Sequence, residues 1–226
     1  MNKHNIGKAG MKDLTALVSG FRRFQENFFS EDTRLFDQLK KAQRPKVLVI
    51  ACCDSRVDPS LLTDCDPGDL FVIRNVANLV PPYQPDAHYH GVSAAVEYAV
   101  CFLNVEHILI MGHSQCGGIQ SLMEKTGGCE DGDNEFIDNW VSLASPAKEM
   151  VLKELADKPK EIQTRACEQA SILLSLENLL TFPQILKRVE AGTLSLQAWY
   201  VDIQTGALLS YNPKSGEFEV LVNRPQ

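Results

Sequence analysis

The sequence predicts an α/β fold: a mainly parallel four-stranded sheet core with an additional C-terminal strand or hairpin, flanked by helices and preceded by an N-terminal helical arm. Three observations lead there. The runs Lys46-Val-Leu-Val-Ile-Ala-Cys52 and Glu106-His-Ile-Leu-Ile-Met111 are apolar and rich in β-branched residues, the character of strands buried on both faces in a parallel sheet. Segments of helical periodicity separate and follow them, and alternating strands and helices imply right-handed crossovers. Ahead of the first strand lies a Leu/Phe-rich helical pattern whose aromatic face needs a cover.

The elements follow in order. Leu17, Phe21, Phe24 and Phe28 recur at helical spacing, and Ser30 and Thr33 offer a break and a new N-cap before Leu35, Phe36 and Leu39. Residues 1–44 form this arm, 45–190 the α/β core and 191–226 the C-terminal strands of a single domain. Pro45 punctuates before the first strand. A turn-rich stretch from Asp58 to Gly68 leads to a second strand, Asp69–Arg74, and a Pro-rich loop precedes a helix over Gly91–Leu103. The third strand ends in Gly112-His113-Ser-Gln-Cys116-Gly-Gly, before a helix over Ile119–Glu124. Further helices are expected over Phe136–Met150 and Lys160–Leu180, with breaks at Pro159 and Pro183. A last strand containing Gln197–Ile203 leads into a hairpin turning at Thr205-Gly206 and Asn212-Pro213.

Composition narrows the function classes. With Asp plus Glu at 29 against Lys plus Arg at 22, the formal charge is -7, which disfavours a nucleic-acid surface. No stretch approaches the roughly 20 apolar residues of a membrane span, and the first residues lack a signal peptide's apolar core. The 7 cysteines are odd in number and irregularly spaced, so reduced thiols in a cytoplasmic protein are expected, some free to hold metal.

Two segments carry chemistry. Cys52-Cys53-Asp54-Ser55-Arg56 directly follows a buried strand, where ligands bind in open parallel sheets. Side chains alternate in extended chain, so Cys52, Asp54 and Arg56 share one side and Cys53 and Ser55 the other. His113-Ser-Gln-Cys116 follows another buried strand at the start of a helix, where exposed N–H groups favour a thiolate. Cys52, His113 and Cys116 together make a tetrahedral zinc site with one open position, the ligand set of catalytic zinc. Cys53, Cys65, Cys101 and Cys167 need no role beyond packing or surface thiols, Cys129 is expected to be exposed in a Gly/Asp loop, and His107 to be structural. His88 and His90 lie in a polar loop, where a proton shuttle is an alternative to a bland surface role. No phosphate-loop glycine pattern is present.

Cys52-x-Asp54-x-Arg56, followed by His113-x-x-Cys116-Gly-Gly, resembles the β-class carbonic anhydrases. The segments Asp69-Leu-Phe-Val-Ile-Arg-Asn-Val-Ala-Asn-Leu-Val-Pro-Pro-Tyr83 and Ala94-Ala-Val-Glu-Tyr98-Ala-Val are similar to the plant-type branch, also found in bacteria. The resemblance runs from about Phe21 to Tyr211. It implies reversible hydration of carbon dioxide to bicarbonate and a proton by attack of zinc-bound hydroxide, with one zinc per chain. It further implies an arm wrapped on a partner subunit, and a dimer or higher homo-oligomer. Asp54 would orient the hydroxide and Arg56 would hold Asp54 ionised. Gln43, Phe71, Val76 and Tyr98 are carried over as substrate-binding residues, with the Gly117 N–H as a candidate oxygen donor. Relatives that lock themselves with bicarbonate carry Trp three residues before the first zinc cysteine. Here that position is Val49, so no such lock is expected. Hydrolysis of carbon disulfide or carbonyl sulfide on the same fold, and a purely structural zinc module, are the rival readings.

Overall fold

The computed structural model describes residues 11–30, 33–86, 88–124 and 134–224; Cys129 lies outside them. The chain divides into two compact units, residues 1–43 and 44–226.

The first unit holds α1 (Met11–Phe29) and α2 (Arg34–Leu39). Phe24 stacks on Phe21 and meets Phe28 and Phe36, drawing the aromatic face of α1 onto α2. Thr33 precedes α2 and its hydroxyl donates to the Asp37 carboxylate instead of capping backbone. Leu14, Leu17, Val18 and Phe21 are nevertheless largely exposed.

The second unit is built on a 6-stranded sheet of order β2-β1-β3-β4-β5-β6. Its strands are β1 (Val47–Cys52), β2 (Leu70–Asn75), β3 (His107–His113), β4 (Ser195–Asp202), β5 (Ala207–Asn212) and β6 (Glu217–Val222). The first four pair in parallel and the last two add an antiparallel hairpin. The double-sided apolar runs behave as expected: Leu48, Ile50, Ile108 and Ile110 are buried in one cluster, while Val49, Ala51, Leu109 and Met111 are buried in another.

The helices of this unit are α3 (Pro59–Thr63), α4 (Gly91–Glu97), α5 (Gly117–Glu124), α6 (Glu135–Val141), α7 (Ser145–Glu154), α8 (Lys160–Leu180) and α9 (Pro183–Glu190). Helix α4 continues as a π-helical turn over Tyr98–Phe102. Three details differ from the sequence expectation. The turn-rich stretch contains α3, capped by the Asp58 side chain accepting from the Ser60 and Leu61 N–H groups. The helix expected over Phe136–Met150 is two, α6 and α7, joined by a 3-10 turn at Ser142–Ala144. Pro146 sits in the first turn of α7, where its missing N–H costs nothing. The chain breaks after α8 as expected, but Pro183 then opens α9, a further helix that the sequence reading did not include.

Strands β1 and β3 lie side by side, so their C-terminal ends bring Cys52 and His113 together at one end of the sheet. Two glycines permit the close packing there. A Cβ at Gly112 would come within 2.5 Å of Ile172 on α8, and one at Gly118 within 2.6 Å of Val76.

Candidate metal centre

The ligating atoms of Cys52, His113 and Cys116 lie within 4.8 Å of one another, and all three residues are buried. Cys53 is exposed, because the residue after a strand end turns to the opposite face. The His113 ring is fixed by its neighbour: Nδ1 lies 2.9 Å from the Ser114 carbonyl oxygen. A carbonyl only accepts, so Nδ1 carries the proton and Nε2 presents a lone pair. That Nε2 is buried without a hydrogen-bond partner. Leaving a buried acceptor unpaired costs about 1–3 kcal/mol, and a cation beside it removes that cost.

The two sulfurs are 3.9 Å apart. A hydrogen bond from the Cys116 thiol holds Cys52 far below the ordinary thiol value despite its burial, helped by N–H groups of Asp54 and Ala77. The same contact with a Cys52 thiolate, together with burial, pushes Cys116 far above that value. The pair thus yields one proton readily and resists losing the second, which is the behaviour of two thiols waiting for a cation to replace that proton. The donor set of two sulfurs and a neutral imidazole suits zinc. Ala77 reaches Cys52 by adopting φ 64°, left-handed for a residue with a Cβ, a conformation that costs about 1–2 kcal/mol.

Asp54 Oδ2 stands 4.0 Å from His113 Nε2. Arg56 grips Asp54 with Nε to Oδ1 at 2.9 Å and Nη2 to Oδ2 at 2.7 Å, while its backbone N–H also donates to Oδ1. This fork holds the Asp54 carboxyl well below the usual carboxylate range. Arg56 also donates to the Gln115 carbonyl, tying the loop after β1 to the loop after β3.

Asp54, Arg56 and Gly117 border a cavity of about 780 Å3, together with Arg165, Glu168 and Tyr200 of α8 and β4. Val76 packs against the apolar cluster that contains Cys52 and Cys116, and lines a second, more apolar cavity with Cys53, Phe136 and Trp140. Phe71 and Tyr98 form a ring pair 6.0 Å apart and border neither cavity. Gln43 is exposed and belongs to the N-terminal unit.

Two residues that sequence reasoning passed over touch the ligand loops. Glu168 on α8 is buried, accepting the Cys116 N–H at 3.0 Å and the Tyr200 hydroxyl at 2.6 Å. Burial raises its carboxyl pKa, opposed by those donors. Arg74, at the end of β2, donates to the carbonyls of Cys52 and Asp54. Arg74 had a signal, a charged residue at the end of an otherwise apolar strand, whereas Glu168 is one of several charged residues along α8 and had none.

Residues 47–208 match the family model for carbonic anhydrase. Over 190 residues the chain is 40% identical to beta carbonic anhydrase 3 of Arabidopsis thaliana, covering 84% of this chain and 73% of that one. The chain belongs to the β-carbonic anhydrase family. Another relative of this family, beta carbonic anhydrase 5, chloroplastic, from the same plant, is 45% identical over 181 residues, which are 80% of this chain and 58% of that one. Among solved structures, the β-carbonic anhydrase CcaA superposes with TM-score 0.84 at 34% identity, covering 94% of each chain. A tetrameric β-carbonic anhydrase of Sordaria macrospora gives TM-score 0.68 at 26% identity, covering 93% of this chain and 94% of that one. The β-carbonic anhydrases are enzymes that hydrate carbon dioxide, and this chain has their mainly parallel sheet with a C-terminal antiparallel pair. No described helix is long and apolar enough to cross a membrane.

Proposed function

We propose that Cys52, His113 and Cys116 hold one zinc ion per chain and that the protein interconverts carbon dioxide with bicarbonate and a proton. The observation that carries this reading is the unpartnered His113 Nε2 facing two sulfurs that share a proton, with an ionised Asp54 at 4.0 Å. Zinc, when bound, supplies the Lewis acidity that brings the pKa of water down to about 7, so that a nucleophile exists near neutral pH.

The chain's own groups do the rest. Asp54 Oδ2 accepts a hydrogen bond from the attacking oxygen and turns its lone pair toward carbon. Arg56 keeps Asp54 ionised and aimed, and through Gln115 it holds the two ligand loops in one register. The Gly117 N–H donates to a substrate oxygen at the start of α5. Val76, which lines the more apolar cavity, supplies apolar surface for a nonpolar triatomic substrate. Val49, in place of a tryptophan, leaves no bicarbonate lock. A dimer is the smallest functional assembly, the exposed apolar face of α1 being covered by a second copy.

The test is stopped-flow hydration of carbon dioxide against pH with metal content measured on the same sample. The expected result is one zinc per chain with hydration, and an Asp54→Asn variant that keeps zinc but loses about 100-fold in kcat, the cost of a misaimed reacting group. Bound zinc without hydration above about pH 8, where zinc-activated water is ionised, would overturn this reading and leave hydrolysis of carbon disulfide or carbonyl sulfide, or a structural zinc.

A further inference from the structure

Between Cys52 and α3 the chain makes a short loop that contains Asp54 and Arg56. Among the described residues, one side chain from outside the loop grips its backbone, Arg74 of β2. Arg74 Nε donates to the Cys52 carbonyl at 3.0 Å, Nη2 to the Asp54 carbonyl at 2.6 Å and Nη1 to the Asp58 carboxylate at 2.7 Å. Asp58 is itself doubly engaged: Oδ2 takes Arg74, while Oδ1 accepts from the first N–H groups of α3. One guanidinium therefore joins the carbonyl of a metal ligand, the carbonyl of Asp54 and the cap of the helix that ends the loop.

We propose that Arg74 and Asp58 form a latch that positions Asp54, and that the latch, acting through the loop backbone, sets how well Asp54 is aimed. The inference rests on the reading of Asp54 given above. Three features favour positioning over general stability. The Arg74 and Asp58 side chains are 26% and 44% exposed, and ion pairs this close to solvent add only about 0–1 kcal/mol to global stability. Both carbonyls that Arg74 grips flank the reacting group, and one is the carbonyl of Asp54 itself. The Arg56 fork fixes the Asp54 carboxylate only relative to Arg56 and Gln115, whereas Arg74, beside the Cys53 N–H that donates to the Asn75 carbonyl at 2.8 Å, fixes the Asp54 carbonyl relative to the sheet. Without the latch, the loop can shift while the Asp54–Arg56 pair stays intact, and a displacement of about 1 Å at a reacting group costs about 100-fold.

Asp58→Asn is the informative variant, because asparagine caps a helix as well as aspartate does and so removes the charge-assisted pair while sparing α3. Arg74→Gln removes the grip directly and Arg74→Lys tests whether a single-point cation can replace the fork. The measurements are kcat and KM for hydration, zinc per chain, thermal midpoint and deuterium exchange over residues 53–57 in the metal-free protein. In Asp58→Asn we expect kcat per bound zinc to fall about tenfold with KM and zinc content unchanged. The thermal midpoint should stay near wild type and amide exchange over 53–57 should rise. Arg74→Lys should restore less than the wild-type kcat, since lysine cannot bridge three acceptors in a plane. Wild-type kcat per zinc in Asp58→Asn, unchanged exchange over 53–57, or a loss of activity that only tracks loss of zinc would each overturn the latch. The wild-type enzyme separates this from the parent reading: zinc-loaded wild type without hydration defeats that reading, whereas active wild type with an equally active Asp58→Asn defeats only the latch.

Discussion

Cys52 and Cys53 are adjacent and chemically identical, yet one is buried among ligands and the other exposed. Alternation along β1 makes the difference, since Leu48, Ile50 and Cys52 turn to one face of the sheet. Substituting Cys52 with serine should therefore abolish stoichiometric zinc binding, measured by metal analysis after dialysis, while Cys53→Ser keeps one zinc per chain. The reverse result would place the site on the other face. This much was legible in the sequence because alternation and the spacing of His113 and Cys116 act over a few residues. The partners that orient these ligands were not, because they arrive from far along the chain. Glu168 reaches the Cys116 N–H from α8 and Arg74 reaches the Cys52 carbonyl from β2. Ala77 was hidden for another reason: its left-handed φ is imposed by tertiary packing on a residue whose own preference is helical.

At the level of elements, the loop after β3 is held to β4 as firmly as to α8. The Ser114 N–H donates to the Val201 carbonyl, the Ser114 hydroxyl donates to Asp202, and the Ile203 N–H donates to that hydroxyl. Asp202 is buried and also receives Arg165 of α8 at 3.1 Å. Burial opposes its ionisation, but the Gln204 N–H, the Thr205 hydroxyl and Arg165 outweigh burial and hold its carboxyl below the ordinary value. A carboxyl depressed on folding contributes stability that is complete above its unfolded pKa of 3.8 and is lost as pH falls through the lower folded value. Asp202→Asn should accordingly cost about 1–3 kcal/mol at pH 7. In urea melts that gap should narrow once the pH drops below about 4, and a constant gap at all pH values would show that the carboxylate's charge is not what stabilises the junction. The strands of this junction were foreseeable from their apolar runs. The helices α3 and α9 were not, because the stretch around Pro59 read as turn and Pro183 as a break, while both prolines serve as first-turn residues.

For the whole molecule, α1 poses a problem that the chain's own folding leaves open. Phe24, Phe28 and Phe36 satisfy one another within the N-terminal unit, yet Leu14, Leu17, Val18 and Phe21 are 63, 69, 53 and 60% exposed. An apolar stripe of this kind on one helix marks an interaction surface. The periodicity of α1 showed such a face in the sequence, but a single chain cannot show what covers it. Under the function proposed above, a second copy of the chain is the cover. Burying an exposed leucine or phenylalanine contributes about 1.5–3 kcal/mol, so two charged substitutions on the stripe remove several kcal/mol from any association that uses it. The double variant Leu17→Glu, Phe21→Glu should therefore sediment as a smaller species than wild type at micromolar concentration. Its second unit, residues 44–226, has its own core and should keep its zinc. If sedimentation velocity gives the same species for both proteins, the stripe is not a contact between copies.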